Sequence, residues 1–273
     1  MWCWAARRHW VRGFDRAAGG GDGVYDRSAS EGRWHAEPDE FIKAELTDQA
    51  ALARAMEGID VAIHLAATPD DLAPFDAPGG IMETNVLGVY NVCDAARTAG
   101  VRRLMLTSSV QAIQGLVSGW SGGGDMIRLE DGTAPTNHYS LTKVFSEEIG
   151  RMYARGVQPR FPEAGVATDN TMSVVITRIG WFVRNNAESV DMVASGGYGV
   201  YLSHDDAARY FVRVIESPTP EPGESAVVFC VSKAPAGGEN VDMAPAREVL
   251  GFEPQDVYPA GVPFQAEPPG AKL

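Results

Sequence analysis

Short apolar runs alternate with helical patterns along this chain, and that alternation is the feature that most limits its fold. Runs that predict strands lie at 10–14, 41–46, 61–66, 103–107 and 173–179. Between them, apolar residues recur at helical spacing over 48–56, 83–98 and 138–155. Strands that alternate with helices and carry no hairpin signals are typical of a parallel sheet. The sequence therefore predicts an α/β fold built on a doubly wound parallel sheet.

The helical spacing also predicts which helix faces are buried. In the helix at 83–98, one face carries Val86, Val89, Tyr90, Cys93 and Ala96. In the helix at 138–155, the inward face carries Phe145, Ile149, Met152 and Tyr153. We expect both faces to pack against the sheet.

The pattern changes after Gly180, where proline and glycine become frequent. Beyond that point the sequence predicts only a helix at 205–215, a strand at 226–231 and a short helix at 244–250. We therefore expect residues 1–180 to form the main domain. Residues 181–273 are expected to form a small C-terminal substrate cap that is interleaved with the main domain.

Charge and composition argue against several kinds of partner. The net charge is −13 and the sequence pI is about 4.8. Such a surface repels phosphate backbones and anionic headgroups, so neither nucleic acid nor a membrane is expected as a partner. The five histidines lack metal-ligand spacing, so no metal site is predicted. The three cysteines are odd in number and far apart, which favours a reducing cytoplasm.

Tyr139 and Lys143 carry the clearest chemical signal. They are four residues apart in a predicted helix, so they share one face. A nearby ammonium favours the phenolate and lowers the tyrosine pKa from its usual value of about 10. With eight tyrosines and four lysines in the chain, about 0.1 such pairs would arise by chance. Ser108 and Ser109 end a predicted strand at the sheet edge where α/β folds bind ligands.

Several ordered segments resemble the extended short-chain dehydrogenase/reductases, in the NAD-dependent epimerase/dehydratase group. The resemblance covers about residues 10 to 255. Besides the Tyr139/Lys143 pair, it rests on the segments 11–16, 45–48, 60–67, 85–91, 107–109, 178–180 and 202–207. It implies a Rossmann-type sheet, a nicotinamide cofactor and proton transfer at the tyrosine.

The resemblance implies four catalytic residues. Ser109 would hydrogen-bond the reacting oxygen, and Tyr139 would act as acid or base. Lys143 would lower the tyrosine pKa and hold the nicotinamide ribose. Asn85 would bend its helix and support a proton-relay water, although an asparagine that merely caps or kinks a helix is an equal alternative.

The resemblance also implies how NAD would be bound. Asp15 at a strand end would accept the adenosine ribose hydroxyls, which favours NAD over NADP, although Arg16 beside it leaves that preference open. His64 is expected to be a packed, hydrogen-bonded strand residue without a catalytic role. The other cofactor contacts would come from Glu45, Leu46, Leu65, Ala66, Ala67, Ser108, Tyr139, Lys143 and Ile179.

The glycine-rich fingerprint of this fold is missing from the sequence. It should begin about 20 residues before the ribose-binding acid, but only 14 residues precede Asp15. We therefore expect the first strand of the sheet to be missing, which would leave two inner strand edges unpaired. A gene start placed too late, or a frameshift, is one explanation, and a genuinely shortened chain is the other.

The substrate is narrowed by the residues that follow the active serine. Sugar-nucleotide dehydratases carry an Asp-Glu pair there, whereas this chain has Val110 and Gln111. The compact cap resembles that of uronate-dehydrogenase-like members, with substrate contacts expected from Ser109, Gln111, Trp181 and Arg184. We predict an NAD-dependent oxidoreductase or epimerase acting on a small sugar or sugar acid, and by the resemblance a homodimer. The alternative is a non-catalytic dinucleotide sensor or scaffold, or an inactive truncated product.

Overall fold

The main sheet is fully parallel. The computed structural model describes residues 9–15, 38–68, 79–117, 125–156, 172–183, 197–234 and 240–258. Four strands pair in the order β3–β4–β5–β8. They are β3 (Val61–His64), β4 (Arg103–Ser109), β5 (Ser173–Ile179) and β8 (Ser225–Cys230). Because parallel strands need crossover connections, the intervening helices cover the sheet faces.

The first two strands form a sheet of their own. β1 (Arg12–Asp15) pairs with β2 (Glu40–Lys43) in parallel, and within the described ranges neither strand pairs with β3. Arg12 joins the small sheet to the rest of the chain, because its Nη1 donates to the carbonyls of Arg54, Ala55 and Glu57 at 3.1, 3.1 and 2.8 Å.

Helices cover both faces of the main sheet. The helices are α1 (Gln49–Met56), α2 (Gly79–Met82), α3 (Val89–Thr98), α4 (His138–Arg155), α5 (His204–Glu216) and α6 (Ala244–Leu250). One core cluster joins α1, α3 and α4 to Leu104, Leu106, Val174 and Ile176. The other joins α5 and α6 to Met105 and Val175, which point to the opposite face. The doubly wound α/β prediction is therefore confirmed.

The segment after Gly180 contributes one strand to the main sheet and takes part in a second, shorter strand pair. β8 lies within it and completes the main sheet beside β5. A short parallel pair, β6 (Trp181–Phe182) and β7 (Tyr201–Leu202), lies beyond the end of β5. A β-carbon on Gly180 would come within 2.3 Å of the Val200 carbonyl oxygen, so the crossing of these strands requires glycine.

Two predicted helix faces differ from the structure. The segment Glu83–Gly88 is a π-helix that lies between α2 and α3, so the residue facing the core shifts along the chain. Tyr90 is consequently 44% exposed, and Met152 on α4 is 41% exposed. Both predictions of burial were wrong. Among the described residues, no helix is long and apolar enough to cross a membrane.

Candidate functional site

Ser109 is the last residue of β4, at the carboxyl edge of the main sheet. It is 6% exposed and caps the 3₁₀-helix Val110–Leu116, where its Oγ accepts a hydrogen bond from the Gln111 N–H at 3.1 Å. That bond uses a lone pair of the hydroxyl oxygen. The O–H group can therefore donate to a substrate oxygen at the sheet edge.

Lys143 is directed toward the same edge by helix α4. Asn137 caps this helix by accepting from the Ser140 N–H at 2.7 Å. The Lys143 Nζ donates to the Thr107 carbonyl oxygen at 3.0 Å and lies 5.3 Å from the centre of the Tyr139 ring. Burial lowers the pKa of Lys143 from 10.5 to about 8. The side chains of Tyr139 and Lys143 therefore lie close together, as predicted. Lys143 bonds to Thr107, which precedes Ser109 by two residues in β4.

Asn85 lies in the π-helix, a distortion that is frequent at functional sites. Its Oδ1 accepts from the Thr68 N–H at 2.8 Å, and its Nδ2 donates to the Thr68 carbonyl at 3.0 Å and to Thr142 Oγ1 at 3.2 Å. The side chain therefore ties the end of the segment after β3 to helix α4. The helix distortion at Asn85 matches expectation, and its part in a water relay stays a prediction.

His64 lies at the end of β3, close to Lys143. Burial, together with the charge of Lys143, lowers the pKa of His64 to about 3, so the imidazole is neutral at physiological pH. Its backbone carbonyl accepts from Thr107 Oγ1 at 2.7 Å. The residue is packed as expected. The expected side-chain hydrogen bond is not found, because Nε2 is buried without a partner among the described residues.

Ser108 does not point toward a cofactor groove. Its side chain is fully buried, and its Oγ donates to Glu147 Oε1 at 2.8 Å beneath helix α4. Successive residues of a strand point to opposite faces, so Ser108 and Ser109 separate. The expected cofactor contact by the Ser108 side chain is therefore unsupported. Glu147 also binds Arg178, and sequence reasoning missed this ion pair.

The other residues predicted to bind cofactor are distributed along the carboxyl edge of both sheets. Leu65 and Ala67 are half-buried and Ala66 is exposed in the segment that follows β3. Asp15 ends β1, paired in register with Lys43. Ile179, half-buried, ends β5. Glu45 is exposed, whereas Leu46 packs so closely on Gly88 that a β-carbon there would come within 2.8 Å of the leucine. Arg16 lies outside the described residues.

Of the predicted substrate-binding residues, Gln111 lies beside Ser109, whose Oγ accepts from its N–H. Its Oε1 accepts from Asn137 Nδ2 at 3.4 Å, so its own amide hydrogens face away from Asn137. Trp181 instead packs in a small apolar cluster with Val183, Tyr201 and Tyr258. Arg184 lies outside the described residues.

The residues present fit the nicotinamide end of the cofactor. The buried Lys143 ammonium has three hydrogens, of which the Thr107 carbonyl accepts one, so it can also donate to a ribose hydroxyl. Leu65, Ala66 and Ala67 would line the cofactor groove, and Asp15 would accept from the adenosine ribose.

A parallel α/β sheet with helices on both faces is an architecture that binds nucleotides at the carboxyl edge of its strands. The NAD dependent epimerase/dehydratase family matches residues 8–166, which is more than half of the 273 residues. The chain belongs to this family, as the resemblance implied.

Two curated relatives, both from Haloferax volcanii, are sugar dehydrogenases. An L-arabinose 1-dehydrogenase (NAD(P)(+)) is 28% identical over 189 residues, which is 65% of this chain and 68% of the relative. An NAD-dependent glucose-6-phosphate dehydrogenase is 29% identical over 237 residues, which is 84% of this chain and 80% of the relative.

Solved structures confirm the fold. The crystal structure of a glucuronic acid dehydrogenase from Chromohalobacter salexigens matches with a TM-score of 0.64 at 23% identity. The match covers 91% of this chain and 76% of that structure. At this identity the likeness establishes the Rossmann-like architecture and leaves the substrate to be argued from the site.

Proposed function

We propose that this protein is an NAD-dependent oxidoreductase acting on a hydroxyl group of a small sugar or sugar acid. The single observation that carries the proposal is the placement of Lys143. Its ammonium is buried, bonds to the strand that ends in Ser109, and lies against the ring of Tyr139. A buried cation beside a phenol is the arrangement that activates a tyrosine for proton transfer.

Each side chain would have one task in the oxidation of an alcohol. Ser109 donates a hydrogen bond to the hydroxyl oxygen and orients it. Tyr139, as phenolate, takes the hydroxyl proton while the carbon–hydrogen bond breaks. Bound NAD supplies the acceptor for the hydride, so two electrons leave the substrate with that hydrogen and one proton remains on the tyrosine. Lys143 stabilises the phenolate and holds the ribose.

The two curated relatives act on sugars, which supports the proposed substrate class. Gln111 adds to this, because its amide hydrogens face away from Asn137 and suit an acceptor such as a sugar hydroxyl or carboxylate. We also propose that the segment after Gly180 supplies the remaining substrate contacts, with Trp181 and Arg184 as candidates.

The test is NAD-linked turnover of a panel containing L-arabinose, glucose 6-phosphate and glucuronic acid, followed by NADH absorbance. We expect oxidation of at least one member, with a loss of about a thousandfold or more in Tyr139→Phe. Tyr90→Phe, which changes an exposed tyrosine on α3, is the matched control and should keep full activity. Turnover that survives in Tyr139→Phe would refute the mechanism. Sugar isomerisation without net NADH would identify an epimerase.

The second candidate is a dinucleotide sensor or scaffold without catalysis. It is favoured by one observation, the break between the β1–β2 sheet and the main sheet among the described residues. The experiment that separates the two is titration of the chain with NAD, read by tryptophan fluorescence. Saturation without turnover on any substrate in the panel supports the sensor, and turnover excludes it.

We further propose a homodimer in a reducing cytoplasm. Leu87, Tyr90, Leu141 and Met152 are 41–50% exposed on the neighbouring helical segments that carry Asn85 and Tyr139. An apolar face of this kind is typical of a subunit interface. Leu141→Glu should yield a monomer in analytical ultracentrifugation, and a monomeric unmodified chain would refute the dimer. The compartment is supported by Cys93 and Cys230, which are free and buried.

A further inference from the structure

Glu147 and Arg178 form an ion pair that is closed off from solvent, and the chemistry described above gives it no role. The side chains are 0% and 2% exposed. Arg178 Nε donates to Glu147 Oε1 at 2.8 Å, and Nη2 donates to Oε2 at 3.0 Å. Ser108 Oγ adds a third bond to Oε1 at 2.8 Å. Both carboxylate oxygens are thus occupied by donors from β4 and β5.

A pair of this kind is costly to bury. Desolvation of two charges offsets much of their attraction, and apolar side chains of similar volume often stabilise a core as well or better. Arg178 Nη1 is moreover buried without a partner among the described residues, and the guanidinium lies 5.4 Å from the centre of the Phe229 ring. Stability alone therefore does not account for the pair, and its position suggests another role.

The pair lies one helical turn from the proposed catalytic lysine. Tyr139, Lys143 and Glu147 follow one another at intervals of four residues along a single stripe of α4. Lys143 bonds to the Thr107 carbonyl, and Glu147 bonds to the next residue of the same strand, Ser108. A carboxylate in this position would attract the Lys143 ammonium and stabilise its charge, unless another cation neutralised the carboxylate.

We propose that Glu147 and Arg178 are positioning residues for the Tyr139–Lys143 centre, a role that rests on the proposed function. The Glu147 carboxylate bonds α4 to β4 and β5, and these bonds fix the position of the Lys143 ammonium relative to the Thr107 carbonyl. The Arg178 guanidinium cancels the carboxylate charge at Lys143. The Lys143 ammonium then stabilises the charged form of Tyr139 instead of forming a tight ion pair with Glu147 on the same helix.

The other charged groups near this stripe are few in the described part of the chain. His64 faces Lys143 from β3 and is neutral, and Tyr139 approaches from α4. Arg151 is 26% exposed and its Nη2 lies 3.5 Å from Glu147 Oε2. Glu83 of the π-helix and Asp94 of α3 are on the flanking helical segments. Of these groups, only Arg151 contacts Glu147, so Glu147→Gln also removes one carboxylate partner of Arg151.

The test measures the titration of Lys143 directly. The chain has four lysines, so ¹³C-labelled lysine gives few NMR signals, and Lys143→Met assigns the one of interest. Glu147→Gln leaves Arg178 uncompensated and should lower the Lys143 pKa by about one unit. Arg178→Met leaves the carboxylate with only the partly exposed Arg151 at 3.5 Å, and should raise the Lys143 pKa by up to about one unit. The double variant should return close to the unmodified value.

Opposite shifts are the result that a merely structural role would not produce. Glu148→Gln, on the exposed side of the same helix, is the matched control and should leave the Lys143 titration unchanged. If Arg178→Met does not fold, Glu147→Gln decides by itself, because the amide keeps the shape and an acceptor for Ser108. An unchanged or raised Lys143 pKa in Glu147→Gln would overturn the proposal.

Turnover separates this inference from the proposed function. The NMR titration needs neither cofactor nor substrate. It therefore measures the effect of Glu147 and Arg178 on the Lys143 pKa even if the protein has no enzymatic activity. If the unmodified chain is inactive but the pKa shifts are present, the proposed enzymatic function alone is refuted. Activity in the unmodified chain, with the shifts absent, refutes the positioning role alone.

Discussion

The side-chain amide of Asn85 forms two hydrogen bonds with the backbone of Thr68, one with its N–H and one with its carbonyl. Oδ1 accepts at 2.8 Å and Nδ2 donates at 3.0 Å. The second hydrogen of Nδ2 is donated to Thr142 Oγ1, next to Lys143. The segment predicted to line the cofactor groove, Leu65 to Ala67, is thereby fixed to the helix that carries Tyr139 and Lys143, the proposed proton-transfer residues.

We expect Asn85→Ala to weaken both stability and NAD binding. The substitution leaves the Thr68 N–H and C=O without their partner, which should cost about 2–4 kcal/mol in urea unfolding. NAD affinity should fall by about tenfold or more, since the groove is no longer fixed before binding. Tyr210→Phe is the control, because it removes a buried bond to Thr177 on the opposite face of the sheet. Equal losses of affinity in the two variants would contradict this account.

Much of this site could be predicted from the sequence, because its signals are local. Tyr139 and Lys143 needed only helical spacing, and Ser109 only its place at the end of an apolar run. The distortion of the helix at Asn85 was expected only from the family resemblance, since apolar periodicity does not reveal one inserted residue. The Glu147–Arg178 pair joins residues 31 apart. One signal was available, because Glu147 continues the Tyr139–Lys143 stripe and must also face the sheet.

Gly180→Ala should destabilise the fold severely. The added β-carbon would lie 2.3 Å from the Val200 carbonyl oxygen and 2.9 Å from a Val231 methyl group, and the backbone atom cannot move without disturbing β7. We expect a loss of about 3 kcal/mol in the free energy of unfolding. Gly79→Ala, in helix α2 with nothing within 4 Å of the added carbon, is the matched control. It should be neutral or stabilising by up to about 1 kcal/mol.

The fold should lose stability as the pH falls below 6.5. Burial lowers the pKa of His64 to about 3 and that of His204 to about 4, both from 6.5. Between these values the unfolded chain binds protons that the folded chain does not, so acid favours unfolding. Each histidine should contribute a loss of about 2 kcal/mol between pH 7 and pH 5. His64→Gln and His204→Gln should each flatten the pH dependence of urea unfolding, and an unchanged slope would show that the histidine is not buried as neutral imidazole.

Asp206 of helix α5 holds the end of the described chain in place. Its Oδ1 accepts from Arg209 Nε at 2.9 Å and from the Gln255 N–H at 2.8 Å, and its Oδ2 accepts from Ser232 Oγ at 2.7 Å and from the Asp256 N–H at 3.0 Å. The carboxylate is fully buried and is the acceptor for the Ser232 hydroxyl and for two backbone N–H groups, whereas Arg209 also donates to Asp256.

Asp206→Asn should therefore destabilise the chain by about 2–4 kcal/mol. One acceptor oxygen becomes an NH₂ group that faces the Gln255 or the Asp256 N–H, and the charge that Arg209 binds is lost. Thermal unfolding measures the loss, and Asp205→Asn, one residue away and half-buried, is the control with an expected change within about 0.5 kcal/mol. Because α5 packs on the face of the main sheet opposite to α4, which carries Tyr139, turnover per folded molecule should stay unchanged. A fall in turnover without a fall in stability would place this network in the substrate site instead.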